Sequence, residues 1–227
     1  MELGKRLQTV ASLVPKGHVV ADIGTDHAHL PIYLITKGIS PKVIATEIRC
    51  GPYKKALENI KKAGLQKVIE LRLGAGLKPI SPGEARTAVI SGMGGEAIIE
   101  IIKESREVAL SLDFLILQPM RNQANLRREL FQMGFKIENE NVIAEGKRFY
   151  EVLVARKACQ GRYDEIDVVV GPVLRLQKNS TVTDYIKERI SRLESLIELL
   201  KKMETEAGRA ALEKYQKELN ILREVIT

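Results

Sequence analysis

Tryptophan is absent from this 227-residue sequence, and aromatic side chains make up only 4% of it. A stacking platform for single-stranded nucleic acid needs several such rings, so that mode of binding is disfavoured. Cysteine is nearly absent too. Cys50 and Cys159 lie far apart and form no Cys-x-x-Cys pair, which excludes a disulfide framework or a structural zinc site and fits two reduced thiols in a cytoplasmic protein. No apolar run approaches the ~18 residues of a membrane span, because Lys, Arg, Glu or Asp interrupts every stretch. The first residues, MELGKRLQTVASLVPKG, lack the apolar core of a signal peptide. What remains is 44% hydrophobic and 29% charged, enough apolar material for a sizeable core in a chain expected to be soluble and cytoplasmic.

The formal charge of +7 is unevenly placed. Residues 1–162 hold 25 Lys and Arg against 17 Asp and Glu, whereas residues 163–227 hold 11 against 12. A basic front suits a polyanionic partner such as nucleic acid, although a generic basic surface would look the same. The front also alternates between two periods. Short β-branched runs at 18–23, 43–47, 68–73, 87–91 and 114–118 are separated by stretches of helical spacing at 31–36, 52–63, 96–107 and 122–133, the pattern of strand–helix–strand units around a parallel sheet. Gly38, Gly64 and Gly134 fall where helices should stop. Two further runs, 136–145 and 149–157, flank Gly146-Lys147-Arg148 with no room for a crossover helix, so they form an antiparallel hairpin.

Composition changes near Tyr163. After a connection through Gly171-Pro172, apolar residues recur at helical spacing (Ile186, Ile190, Leu193, Ile197, Leu200), and again after Gly208 (Leu212, Tyr215, Leu219, Leu222, Ile226). Two amphipathic helices joined near 205–208 would cover each other's stripes. One long dimerising helix fits less well, because Gly208 interrupts the pattern.

In an open parallel sheet, ligands bind beyond the carboxyl ends of the strands. The first such end reads Ala21-Asp22-Ile23-Gly24-Thr25-Asp26-His27-Ala28-His29-Leu30-Pro31. A dinucleotide site needs several glycines and bare amides for its pyrophosphate. Here there is one glycine and two carboxylates, which would repel phosphate and suit a cation. S-adenosylmethionine, with an ammonium and a sulfonium and no phosphate, matches better than NAD. The second end supplies Glu47, placed to hold a ribose diol. The third is the flexible turn Gly74-Ala75-Gly76, suited to an adenine edge. At the fourth, Ser91-Gly92-Met93-Gly94-Gly95, the glycines suggest close approach of backbone to ligand. The fifth, Gln118-Pro119-Met120, sets an amide beside the same crevice.

These segments carry a resemblance. Five parallel strands, a terminal antiparallel hairpin and acids after the first two strands resemble a Rossmann-like class I methyltransferase of the α/β class. More narrowly, VADIGTDHAHLP, TEIRCGP, LGAGL, SGMGGEAI and LILQPM resemble the bacterial tRNA (adenine-22-N1)-methyltransferase family. The resemblance implies a catalytic domain over residues 1–162 and a C-terminal helical coiled-coil appendage over 163–227. It also implies S-adenosylmethionine as cofactor and tRNA as partner. Asp22, Gly24, Thr25, Asp26 and His27 then form the cofactor loop, and Glu47 is the ribose ligand. Gly74, Ala75, Gly76, Ser91, Gly92 and Met93 complete the cofactor site. Two positions depart from the family pattern. Ala75 stands where Asp is usual, which removes a side-chain acceptor for the adenine amine, and Met120 stands where Asn is usual.

The reaction so implied needs no strong base, because adenine N1 already carries a lone pair. The methylated base is cationic, so a carboxylate accepting from its exocyclic amine would stabilise the developing charge. Asp26 is the candidate, with Gln118 and Met93 as pocket walls; as a bland alternative, Asp26 would cap the following helix. Arg6, Arg121, Arg127 and Arg128, with Lys5, Lys147 and Arg148, are the candidate phosphate contacts. No metal is expected. Asp22, Asp26, His27 and His29 crowd one loop, as in a metal-dependent hydrolase, but the two histidines lack i, i+4 helical spacing and no further histidine follows. A non-catalytic RNA-binding module on the same fold is the other rival, and Ala75 is its best support.

Overall fold

Strands flanked by helices on both faces become nearly continuous hydrophobic runs, and the central strands of this chain show that pattern. The protein was analysed as a computed structural model that describes residues 2–158, 163–203 and 205–226. Every residue of β1 (Val20–Ile23) and β2 (Val43–Glu47) is buried. With β3 (Ile69–Leu73), β4 (Thr87–Met93) and β5 (Phe114–Pro119) they form the parallel part of a seven-stranded sheet. The hairpin β6 (Phe135–Glu145) and β7 (Arg148–Lys157) completes it, in the order β3-β2-β1-β4-β5-β7-β6, with β7 antiparallel to both neighbours. This is the Rossmann-like methyltransferase arrangement that the alternating periods imply.

Helices α1 (Lys5–Ser12), α2 (His29–Thr36) and α3 (Cys50–Lys62) cover one face of the sheet, where Val10, Leu34 and Ile60 pack on Val20, Val89 and Ile116. Helices α4 (Gly95–Glu104), α5 (Arg106–Ser111) and α6 (Gln123–Gln132) cover the other, through Ile98, Ile102 and Leu130 against Ile90 and Leu115. Gly38, Gly64 and Gly134 follow α2, α3 and α6 at φ of 64°, 69° and 86°, the left-handed exit that stops a helix. The single helix expected at 96–107 is two, because Ser105 leaves helical geometry at φ −126°, ψ 44°. Cys50 is exposed and unpaired at the start of α3; Cys159 lies outside the described residues.

One expected phosphate contact is corrected here. Arg127 is fully buried, its Nε donating to Glu140 at 2.8 Å and its Nη2 to Glu151, both carboxylates being buried as well. It ties α6 to the β6–β7 hairpin and cannot meet a phosphate, because a guanidinium withdrawn to these two carboxylates would have to leave them uncompensated in the interior.

The chain divides into two compact units, Met1–Gly161 and Arg162–Thr227. The second is helical. Where the sequence suggested only a connection, α7 (Glu165–Val169) forms behind a capping box in which the Asp164 and Asp167 side chains accept from each other's backbone N–H. Arg175 ties both acids down. Helices α8 (Ser180–Leu200) and α9 (Glu206–Ile226) pack together through Leu193, Ile197, Leu219 and Leu222, with Arg189–Glu218 and Arg223–Glu194 ion pairs at 2.7 Å. The join precedes Gly208, which is buried inside α9, where a Cβ would come within 3.0 Å of Met203. Among the described residues no helix is long and apolar enough to cross a membrane.

Candidate active site

Side chains alternate along a strand, so the residues that follow the core positions of β1, β2, β4 and β5 reach a common face. Asp22, Glu47, Ser91 and Gln118 all lie in phase with Val20, Ala45, Val89 and Ile116, on the side covered by α1, α2 and α3. At the carboxyl ends of those strands opens a cavity of about 410 Å³. It is lined by Asp22, Gly24, Thr25, Asp26, His27, Glu47, Ser91, Gly92 and Met93, and also by Arg6. Ile48, Arg49 and His29 line it too; sequence reasoning passed over them, although Ile48 and Arg49 directly follow the strand-end acid, where a crevice wall is expected.

The loop after β1 is tightly specified. Gly24 and Thr25 each donate a backbone N–H to the Thr46 carbonyl at 2.9 Å, Asp26 donates its own to Glu47 Oε2 at 3.2 Å, and Asn59 Nδ2 donates to the His27 carbonyl at 2.9 Å. Asp26 and Ala28, at φ of 51° and 58°, are both left-handed. That conformation is uncommon for non-glycine residues and concentrates at functional sites. It places Ala28, rather than Asp26, at the N-cap of α2, so the capping role open to Asp26 in the sequence is not the one it fills. Its carboxylate is largely exposed at the cavity mouth, 3.6 Å from His27 Nε2 and 4.0 Å from Arg49 Nη2. Gly24 is at φ 69°, and a Cβ there would stand 2.3 Å from Met93 Cε.

Two acids are buried beneath the mouth. Glu47 is 3% exposed, and its Oε1 accepts from the Arg49 backbone N–H at 2.9 Å. Asp22 is 5% exposed, and burial pushes its carboxyl up to about 6 against a smaller opposing pull from Thr25. The Thr25 hydroxyl is itself buried without a well-formed hydrogen bond. A half-ionised acid and an orphaned hydroxyl on one wall are groups that a cationic, hydrogen-bonding ligand would satisfy. Among the described residues no group of three or more His, Cys, Asp or Glu is arranged to hold a metal ion.

Other expected site residues fall outside the cavity lining. Gly74, Ala75 and Gly76 sit beside it at the end of β3, where the Gly74 N–H donates to the Glu47 carbonyl at 2.9 Å and Thr46 Oγ1 to the Gly76 carbonyl at 3.0 Å. Gln118 is fully buried behind the wall. The glycine cluster has two uses. Gly92 is the extra residue of a bulge that shifts the β4–β5 register between Ser91 and Met93, and it lines the cavity. Gly94 and Gly95 serve packing: a Cβ on Gly95 would lie 2.7 Å from the Asn122 carbonyl oxygen and 3.0 Å from that of Arg121. Arg121 is exposed at this corner, and Lys147 and Arg148 are exposed at the tip of the hairpin. Because β7 runs antiparallel to β5, that tip belongs to the same rim as the carboxyl ends. Lys5, exposed at the start of α1, adjoins it, since the Arg6 N–H lies 3.5 Å from Glu145 Oε1. Arg128 is half-buried on α6.

Comparison with known proteins gives the following. Residues 3–153 match a family described as a methyltransferase domain. The tRNA (adenine(22)-N(1))-methyltransferase of Bacillus subtilis is 34% identical over 232 residues, spanning 100% of this chain and 98% of that one. The crystal structure of Streptococcus pneumoniae Sp1610, a putative tRNA (m1A22) methyltransferase in complex with S-adenosyl-L-methionine, superimposes with a TM-score of 0.89 at 31% identity over 100% of both chains. The M. capricolum TrmK complex with S-adenosyl-homocysteine does so with a TM-score of 0.84 at 27% identity, covering 100% of this chain and 98% of that one.

Proposed function

The chain belongs to the tRNA (adenine(22)-N(1))-methyltransferase family, and from this we propose that it transfers a methyl group from S-adenosylmethionine to N1 of adenosine 22 in tRNA, in the cytoplasm, through the cavity at the carboxyl ends of β1, β2 and β4. One observation carries the reading at residue level: Asp22 and Glu47, both buried, stand on one face at adjacent strand ends. That is the spacing of acids wanted by a ligand with an ammonium at one end and a ribose diol at the other.

S-adenosylmethionine supplies the methyl group on a sulfonium. The residues of the chain supply placement. Asp22 pairs with the ammonium, and the Thr25 hydroxyl gains a partner. Glu47, fixed by the N–H groups of Asp26 and Arg49, accepts from the ribose hydroxyls. Ile48 is 64% exposed on the cavity wall and gives the adenine ring an apolar face. Gly24, with no side chain, leaves the Met93 thioether in place beside the reacting centre. Asp26, at the mouth, accepts from the exocyclic amine of the target base as that base becomes cationic. Orientation of this kind is worth up to ~7–11 kcal/mol of barrier in well-aligned systems. The base must leave its stack to reach the cavity, at a cost of a few kcal/mol; Arg121, Arg128, Lys5, Lys147 and Arg148 on the rim hold the backbone it leaves from. The helical unit from residue 163 onward takes part in gripping the tRNA.

The test is direct. The protein is incubated with methyl-labelled S-adenosylmethionine and bulk tRNA, and the labelled nucleoside is identified and mapped. One-methyladenosine at position 22 is the expected result. Absence of label in RNA, or label on another base, refutes the reading.

A further inference from the structure

The cavity wall contributed by α1 carries a cation whose side-chain partners are all uncharged. Arg6 Nη1 donates to Ser91 Oγ at 3.0 Å and to Gln118 Oε1, and the guanidinium carbon lies 5.7 Å from the centroid of the Tyr150 ring. Among the described residues no carboxylate stands within ion-pair distance of the guanidinium, and Nε and Nη2 have no partner. The anchor is rigid. Gln118 is fully buried, and its Oε1 also accepts from the Gly92 N–H at 3.0 Å and from Ser91 Oγ at 3.2 Å. Swinging this amide away would strand several donors at once.

A fixed guanidinium with its Nε–Nη2 edge free presents the fork that receives a carboxylate in bidentate fashion. Its position is awkward unless an anion arrives, because the same cavity is read as the seat of a cationic cofactor. The amino-acid end of S-adenosylmethionine resolves this. Its ammonium and carboxylate sit on one carbon, so a ligand that brings the first to Asp22 necessarily brings the second nearby. The other lining guanidinium, Arg49, is already 3.6 Å from Glu47 Oε1 and 4.0 Å from Asp26 Oδ1, at the ribose end. A tRNA phosphate, the partner suggested for Arg6 by its place in the sequence, would approach from solvent, whereas Arg6 is only partly exposed and tied inward to a buried amide.

We infer that Arg6 binds the α-carboxylate of S-adenosylmethionine, and that Gln118, Ser91 and the Tyr150 ring are the positioning residues that hold its guanidinium ready. This rests on the cofactor assignment made above. It also gives the first helix of the chain a place in cofactor recognition.

The experiment is a thermodynamic cycle by titration calorimetry on the full chain. The two ligands are S-adenosylhomocysteine and its decarboxylated analogue, which differ only in the carboxylate. The proteins are the unaltered chain, Arg6→Ala, Arg6→Lys and Gln118→Met. A charge-assisted pair of this kind makes the unaltered chain prefer S-adenosylhomocysteine by roughly 10- to 100-fold. In Arg6→Ala that preference should fall to about twofold or less, with decarboxylated ligand bound as well as before; Arg6→Lys, which keeps charge and loses the fork, should lie between. Gln118→Met should lower the same ratio without abolishing binding, a change that a purely structural defect would not select. An unchanged ratio in Arg6→Ala, or in Arg6→Lys should the alanine variant not fold, overturns the inference. So does a loss of tRNA affinity and of its salt dependence with the ratio intact, which would make Arg6 a phosphate contact while leaving the cofactor reading standing. Failure of the unaltered chain to bind either ligand removes the cofactor reading itself, and this inference with it.

Discussion

Replacing Asp22 by Asn should make the ligand-free protein more stable at neutral pH, which is unusual for a residue assigned to a binding site. The Asp22 carboxyl sits at about 6 instead of 3.8 because burial disfavours its charge. A carboxyl raised in the folded state holds its proton more tightly there than in the unfolded chain. Its contribution to stability is therefore full below pH 3.8 and is lost as pH rises through about 6. A displacement of about two units corresponds to roughly 3 kcal/mol. Asp22→Asn keeps the size of the side chain and cannot ionise. It should equal the unaltered chain near pH 4 and exceed it by up to about 3 kcal/mol at pH 7.5, or roughly 6–12 °C in melting temperature for a domain of this size. S-adenosylhomocysteine should reverse the ranking, since its ammonium pairs with the ionised acid. Calorimetry at pH 5.5 in buffers of different ionisation enthalpy should then show release of about three-quarters of a proton per ligand bound, and almost none at pH 8. If Asp22→Asn melts below the unaltered chain at pH 7.5 without ligand, or binding at pH 5.5 releases no proton, the acid is not the buried, ligand-neutralised group described here.

Asp26→Asn should lower the single-turnover methylation rate by roughly one to three orders of magnitude with tRNA binding nearly unchanged; loss of cofactor binding with the rate at saturating cofactor preserved would move Asp26 into the cofactor loop. Arg127→Met should cost about 3–5 kcal/mol in denaturant unfolding, because it strands two buried carboxylates. Arg121→Ala should instead leave stability alone and reduce the salt slope of tRNA binding by about one; equal effects on RNA binding from both variants would contradict the burial of Arg127. Gly95→Ala should destabilise by roughly 1–3 kcal/mol, since its Cβ meets backbone that cannot move aside, and a neutral melting curve would refute that fit. A chain truncated after residue 162 should keep its affinity for S-adenosylhomocysteine and lose most tRNA methylation; full activity would remove the helical unit from substrate binding.

The sheet, its order of parallel strands and the terminal hairpin were readable because burial on two faces leaves long β-branched runs, and because Gly146-Lys147-Arg148 is too short a link for a crossover. The acids of the crevice were readable for a related reason: Asp22 and Glu47 each stand where an apolar strand ends. What escaped depends on contacts remote in sequence. Nothing near Arg127 distinguishes it from the exposed Arg121, since its partners Glu140 and Glu151 are 13 and 24 positions away. Gly94 and Gly95 look like ligand-binding glycines until the Arg121–Asn122 backbone is seen against them. The short helix α7 did leave a trace, the Asp164-x-x-Asp167 spacing of its capping box, but five residues are too few for a period to show. The break at Ser105 has no glycine or proline to announce it.

The bulge at Gly92 has a consequence for how the chain can vary in length. On an uninterrupted strand Ser91 and Met93 would point to the same side. The extra residue sends Ser91 to the α1 side, where it meets Arg6 and Gln118, and lets Met93 pack with the cluster on the opposite face while its methyl stands over Gly24. An exchange of either side chain alters one contact. A deletion changes the parity of everything beyond it, turning Met93 toward the other layer and drawing the start of α4 out of its fit against Arg121 and Asn122. Insertions and deletions should therefore be far less tolerable between residues 91 and 95 than substitutions of similar bulk, because what this strand end must preserve is a count of residues.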